Sequence, residues 1–257
     1  MTLHKAIAAL LCAAALTACD YEKNAVQDIT GTPPVAGVRF FNFGVNAPGV
    51  NFYANDTKMT AISSTTGAES TTGVASGGVG AGGFYSSIAP GSWALSAKIA
   101  AATDKDLAIT SVTSTIADTK YYSYYVSGFY DATTKKADAF ILEDVMPQTI
   151  NFTVSYVRFV NAISNSGPQT LFIKNSAGVE SPIGGPVAYK SGSDFITIAG
   201  GVYDLNTRAA GSATNLISRT GVSFSNGKVY TVGSRGDMTV VSTTAATRPQ
   251  LDNTANR

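Results

Sequence analysis

A repetition constrains this chain more than any other feature. Val38-Arg39-Phe40-Phe41-Asn42 returns as Val157-Arg158-Phe159-Val160-Asn161, at an offset of 119. Ile88-Ala89-Pro90-Gly91-Ser92-Trp93-Ala94-Leu95 returns as Ile198-Ala199-Gly200-Gly201-Val202-Tyr203-Asp204-Leu205, at 110, and Lys120-Tyr121-Tyr122 as Lys228-Val229-Tyr230, at 108. Three matches in one order imply a tandem duplication of a unit of about 100 residues, so both halves must share one fold. Because the offset falls by nine between the first two matches, the first copy carries about nine extra residues between Asn42 and Ile88. The stretch SSTTGAESTTGVASGGVGAGG, residues 63–83, is the candidate insertion, and its Gly, Ser and Thr content predicts a long flexible surface loop.

Within each copy the residues read as strands. Glycine numbers 25, and Thr, Ser, Val and Tyr outweigh Glu and Leu, a composition that suits strands and tight turns. VRFFNF and VNFYA flank a turn at Ala47-Pro48-Gly49, and GFYSSIAPGSWALSAKI reads as two strands about Pro90-Gly91. LAITSVTST, YYSYYVSGFY and DAFILED complete the first unit. The second repeats the series with LFIKN, DFITIAGGVYDLNTR, GVSFSNGKVYTVGS and DMTVVST, and its Asn226-Gly227 is a strong hairpin signal. Short strands with turns every 8–12 residues, and no sustained helical period, predict an all-β chain of two tandem β-sandwich domains. The boundaries predicted are 37–147 for the first domain, 152–243 for the second, and a disordered tail over 244–257. Each domain is expected to fold alone.

The N-terminus supplies an address. Lys5 precedes an apolar run from Ala6 to Leu16, too short for a permanent membrane span, which needs about 20 residues, so residues 1–18 read as a signal peptide. Leu16-Thr17-Ala18-Cys19 resembles the bacterial lipoprotein processing box, which implies that Cys19 becomes the acylated first mature residue. Several acyl chains hold a protein on a membrane where one does not, each buried methylene contributing about 0.8 kcal/mol. Residues 19–36 then form the lipidated Cys and a polar tether, reaching roughly 20–25 Å as a flexible coil. The expected location is the bacterial cell envelope, exported and lipid-anchored, with the choice of inner or outer membrane open.

The VRFxN strand, the extended VNFYAND segment and IAPGSW resemble the family called domain of unknown function 4397, over residues 36–146 and again over 155–243. That family comprises bacterial secreted or surface proteins, often lipoproteins with tandem copies. The resemblance implies immunoglobulin-like sandwiches and no activity. The family pattern usually has His at or near Asn42, where both copies here carry Asn.

Loss of residues 1–18 also removes the only His, His4, and Cys12, so Cys19 is the one remaining thiol and no disulfide can form within the mature chain. Triads that need His or a free Cys are excluded, as is zinc of the His/Cys type. Asp104, Asp106, Glu143 and Asp144 fall near predicted turns or strand ends and read as solvated charges rather than a catalytic or calcium-binding set. No enzyme activity, cofactor or metal is expected. The 18 basic and 17 acidic residues form no basic block, which argues against nucleic acid as partner. The partners expected are the membrane, through the anchor, and an unidentified envelope protein or glycan.

KYYSYYVSGFY is the sharpest remaining feature. Alternation along a strand places Tyr122, Tyr124 and Val126 on one face, and Tyr121 and Tyr125 on the other. With Tyr122 on the core side, Tyr121 and Tyr125 face outward. They either cover a loop or the second domain, or form an aromatic platform for a glycan or protein, which makes them the candidate binding residues. Arg39 and Arg158, at one strand position in both copies, predict solvent exposure or a cross-sheet carboxylate partner, and Trp93 and Tyr203 predict plugs for the two cores.

Overall fold

A computed structural model describes residues 36–60 and 71–257. The signal peptide, Cys19, the tether before Ala36 and residues 61–70, which include the start of the insertion, lie outside the described residues. The described residues form one compact unit.

The first half contains β1 (Ala36–Asn42), β2 (Val50–Ala54), β3 (Thr57–Lys58), β4 (Gly78–Val79), β5 (Ser86–Ile88), β6 (Gly91–Ile99), β7 (Ala108–Ile116), β8 (Tyr121–Asp131) and β9 (Lys136–Glu143). The second half contains β10 (Ser155–Asn161), β11 (Gln169–Asn175), β12 (Glu180–Val187), β13 (Ser191–Gly192), β14 (Ile196–Ile198), β15 (Gly201–Ala209), β16 (Ile217–Phe224), β17 (Val229–Arg235) and β18 (Gln250–Ala255). The halves match strand for strand. Sheet order β3-β2-β6-β7 corresponds to β12-β11-β15-β16, and β4-β1-β8-β9 to β13-β10-β17-β18, with β5 and β14 pairing β1 and β10. In both halves the first strand runs parallel to the penultimate one, Val38 beside Tyr122 and Val157 beside Tyr230. The described residues therefore form an all-β sandwich protein of four sheets.

Small matched bonds repeat as well. Trp93 Nε1 donates to the Ala89 carbonyl and Tyr203 OH to the Ala199 carbonyl, each at 2.8 Å and four residues back. Tyr122 OH accepts from the Ala117 N–H, and Tyr230 OH from the Ser225 N–H, each five residues back. The first pair of bonds pins the turn before β6 and β15, and the second the turn before the parallel strand of each copy.

Three apolar layers separate the four sheets. Val38, Phe40, Phe52, Leu95 and Tyr124 fill the first sandwich, and Val157, Phe159, Leu171, Leu205 and Phe224 the second. Between them lies a third layer of Phe41, Phe43, Tyr125, Phe140, Val160 and Ala162. Every residue of β1 and of β10 is buried, because each strand is covered on both faces. This explains why VRFF and YVRFV read as continuous runs rather than alternating patterns.

Three expectations are corrected here. Residues 244–257 are not a disordered tail, since Gln250–Ala255 pairs with Tyr230–Arg235 of β17 and buries Leu251. The strand expected at DMTVVST is absent, and Asp237–Thr243 runs as turns and bends towards β18, the counterpart of β9. The described part of the insertion is likewise no free loop. Val50 and Val74 exchange both backbone bonds, at 3.1 and 2.7 Å, and Gly77 N–H reaches the Asn42 carbonyl. Asn42 Nδ2 adds bonds to the Pro48 and Val74 carbonyls.

Candidate functional site

The contact between the halves is built from the recurring arginines. Arg39 and Arg158 alternate with the core residues of β1 and β10, so they point into the middle layer and meet there. Arg39 Nη1 donates to the Ala255 carbonyl at 2.9 Å, and Arg158 Nη1 to the Glu143 carbonyl at 3.2 Å. Each guanidinium thus caps the last strand of the opposite half, a two-fold arrangement within one chain. Ser123 and Thr231 hold the equivalent positions opposite the two arginines on β8 and β17. Tyr85 and Phe195 lay their rings over the guanidiniums, 4.8 and 4.9 Å from ring centroid to Arg Cζ.

The symmetry breaks at one pair of positions. The residue after Glu143 is Asp144, and its counterpart after Ala255 is Asn256. Asp144 takes Arg158 on Oδ1, and Ser123 Oγ (2.7 Å) and Tyr85 OH on Oδ2, with Arg39 Nη2 3.8 Å away. Asn256 accepts from Thr231 Oγ1 and donates to Tyr85 OH, both at 2.8 Å. Two buried guanidiniums therefore share one buried carboxylate. The expectation that Asp144 is a solvated charge is corrected, because its side chain is fully enclosed. Burial disfavours the charge on Arg158, but the Asp144 carboxylate outweighs it and raises its pKa. Burial, then the Asp144 charge, raises the pKa of Tyr85, which stays a neutral donor. Both Asp144 oxygens are engaged by donors of the protein itself, Arg158 on Oδ1 and Ser123 and Tyr85 on Oδ2.

The structure separates the two candidate tyrosines. Tyr125 is 1% exposed, its ring stacked between Phe41 (4.6 Å) and Phe140 (4.8 Å). An exposed platform at Tyr125 is thereby overturned, since the outer face of β8 is where the second half packs. Tyr121 is half-buried and meets Tyr85 edge-on at 5.0 Å. It lines an open cleft of about 580 Å³ together with Lys120, Glu143, Asp144, Met146 and Arg257. Of the two expectations for Arg39 and Arg158, the structure supplies the carboxylate partner, Asp144, for both; that one enclosed carboxylate serves the two halves, as an Arg39–Asp144–Arg158 cross, was not foreseen. The one available signal for this was the recurrence of an Arg inside an otherwise apolar strand.

Polar contacts close the rim of the interface. Tyr189 OH reaches Ser127 Oγ (2.8 Å) and donates to Asp138 (3.0 Å), while Lys190 Nζ pairs with Asp138 at 2.7 Å. On the opposite rim Arg235 pairs with Asp252 and lies over Phe43. Gly77 has φ +81°, and a Cβ there would stand 2.8 Å from Arg235 Nη1, so only glycine suits that position. Among the described residues no group of three or more His, Cys, Asp or Glu is placed to hold a metal ion. Comparison with family models and with curated proteins gave no match.

Proposed function

We propose that this chain is a non-enzymatic lipoprotein of the bacterial cell envelope, an interaction or structural module held at the membrane by acylated Cys19. The observation that carries the reading is the Leu16-Thr17-Ala18-Cys19 box behind a charged, apolar leader. The rest of the chain accords with it. After Cys19 there is no His and no further Cys, and both oxygens of the enclosed Asp144 carboxylate hold donors that fix the two halves together. Each half is read as an immunoglobulin-like sandwich. The tyrosine hydroxyls of Tyr122 and Tyr230, bonded back to the preceding turn, resemble the tyrosine corner of that fold. The aromatic-platform alternative keeps only Tyr121, a half-buried ring set against Tyr85, too little for a stacking surface.

The test is fractionation. Cys19→Ser is expected to move the protein from the membrane fraction to the soluble fraction, because the acyl chains supply its membrane affinity. A labelled fatty acid is expected to mark the unaltered protein at Cys19. Failure to label it overturns the lipoprotein reading.

A further inference from the structure

Both halves point their chain connections to one end of the molecule. β1 starts there at Ala36, with Gly37 N–H bonded to the Lys120 carbonyl where β8 also starts. β9 ends there, and Glu143 receives Arg158 from the other half. β18 ends there at Ala255, receiving Arg39. The linker that follows Asp144 returns across the same end to β10, with Gly227 N–H on the Val154 carbonyl. Two large apolar side chains stand in solvent on that linker, Val145 at 67% and Phe152 at 78% exposure. Phe152 lies over Gly227 (φ +74°), where a Cβ would stand 2.7 Å from its ring. Only sixteen residues separate Cys19 from Ala36 in the sequence.

We propose that this end is a lipid-contacting face, with Phe152 and Val145 entering the interfacial region of the bilayer to which Cys19 is anchored. An aromatic side chain suits that depth, and a short tether keeps this end, rather than the loops at the opposite end, near the lipid. The charges around the face are mixed, exposed Lys120, Lys228 and Arg257 against exposed Asp118 and half-buried Glu143, which already pairs with Lys120. Contact is therefore apolar and needs no anionic lipid.

The inference rests on the lipid-anchor reading, and its test supplies the anchor chemically so that the two fail separately. The chain from Cys19 to Arg257 contains the whole compact unit and one thiol, which is coupled to a maleimide lipid in phosphatidylcholine vesicles. Phe152→Trp and Val241→Trp are each compared with the parent, whose one tryptophan is Trp93. Val241 is 95% exposed at the opposite end, in the segment joining β17 to β18. Brominated phosphatidylcholine is expected to cause an added loss of emission in Phe152→Trp and none in Val241→Trp. Equal quenching in the two variants, or no added loss at position 152, overturns the proposal. Fatty-acid labelling at Cys19 in cells reports independently on the anchor.

Discussion

At the scale of single residues, Asp144 decides how the two halves are held. Removing one partner of a buried ionic group leaves the others uncompensated, at a cost of about 3–5 kcal/mol. Asp144→Asn strands two enclosed guanidiniums at once, so a fall in melting temperature corresponding to a loss of that size is expected. The two-fold arrangement supplies the control. Asn256 occupies the position related to Asp144, beside Thr231 and Tyr85, so Asn256→Asp places a carboxylate at the mirror site. The double variant Asp144→Asn/Asn256→Asp is expected to melt above Asp144→Asn alone, a non-additivity that marks coupled positions. If the second change only adds damage, the cross is not two-fold in energy. The arginines themselves were legible as a repeated feature. Their burial was not, because a single charged residue between Val and Phe is ordinarily read as the solvent face, and here that face is an interface.

At the scale of elements, strands with apolar patterning were readable and strands defined by their neighbours were not. β1, β2, β6, β7, β8 and β9 fall where their β-branched and aromatic runs predicted them. β12 carries Pro182, Gly184, Gly185 and Pro186, residues that argue against a strand interior, and it survives as an edge with a register shift opposite Gln169–Leu171. β18, QLDNTA, has one large apolar residue, and its conformation is set by β17 beside it and by the need of the second half for a counterpart to β9. Ending the chain after Pro249 is therefore expected to abolish cooperative unfolding of the second half, since β17 keeps only β10 beside it and Arg39 loses the Ala255 carbonyl. Leu251→Ala, a gentler version, is expected to cost about 2–5 kcal/mol by leaving a cavity in that core. Circular dichroism melts read both. A truncated chain that melts like the full one would return these residues to the status of a tail.

At the scale of the whole molecule, the halves form one body, and two predictions follow from the layer between them. The first concerns acid. Burial raises the pKa of Asp138, but bonds from Lys190, Tyr189 and the Ala139 N–H outweigh it and hold the carboxyl below its ordinary value of 3.8. A depressed native pKa contributes stability that is present above the unfolded value and is lost as pH falls through the native one. The difference in melting temperature between the parent and Asp138→Asn is thus expected to be constant above about pH 5 and to close below about pH 4. The second concerns division. The sequence reading had each domain folding alone, yet separation exposes Phe41, Phe43, Tyr125 and Phe140 on one side, and leaves Arg39 and Arg158 without their acceptors on the opposite half. Fragments 36–151 and 152–257 each retain a complete sandwich core, so each is expected to keep β structure by circular dichroism while melting below the parent. Their exposed aromatic faces are complementary, and a contiguous apolar patch of that kind drives association. Mixed in equal amounts, the fragments are expected to co-elute as one heterodimer in gel filtration and to regain a single melt near that of the intact chain. Tyr125→Ala in the first fragment opens the stacked Phe41–Tyr125–Phe140 column and is expected to prevent co-elution while leaving the fragment's own β spectrum intact, since Tyr125 faces away from that sandwich core. Fragments that stay apart in the unaltered pair would mean that the covalent linker, and not the aromatic layer with its arginine cross, keeps the halves together.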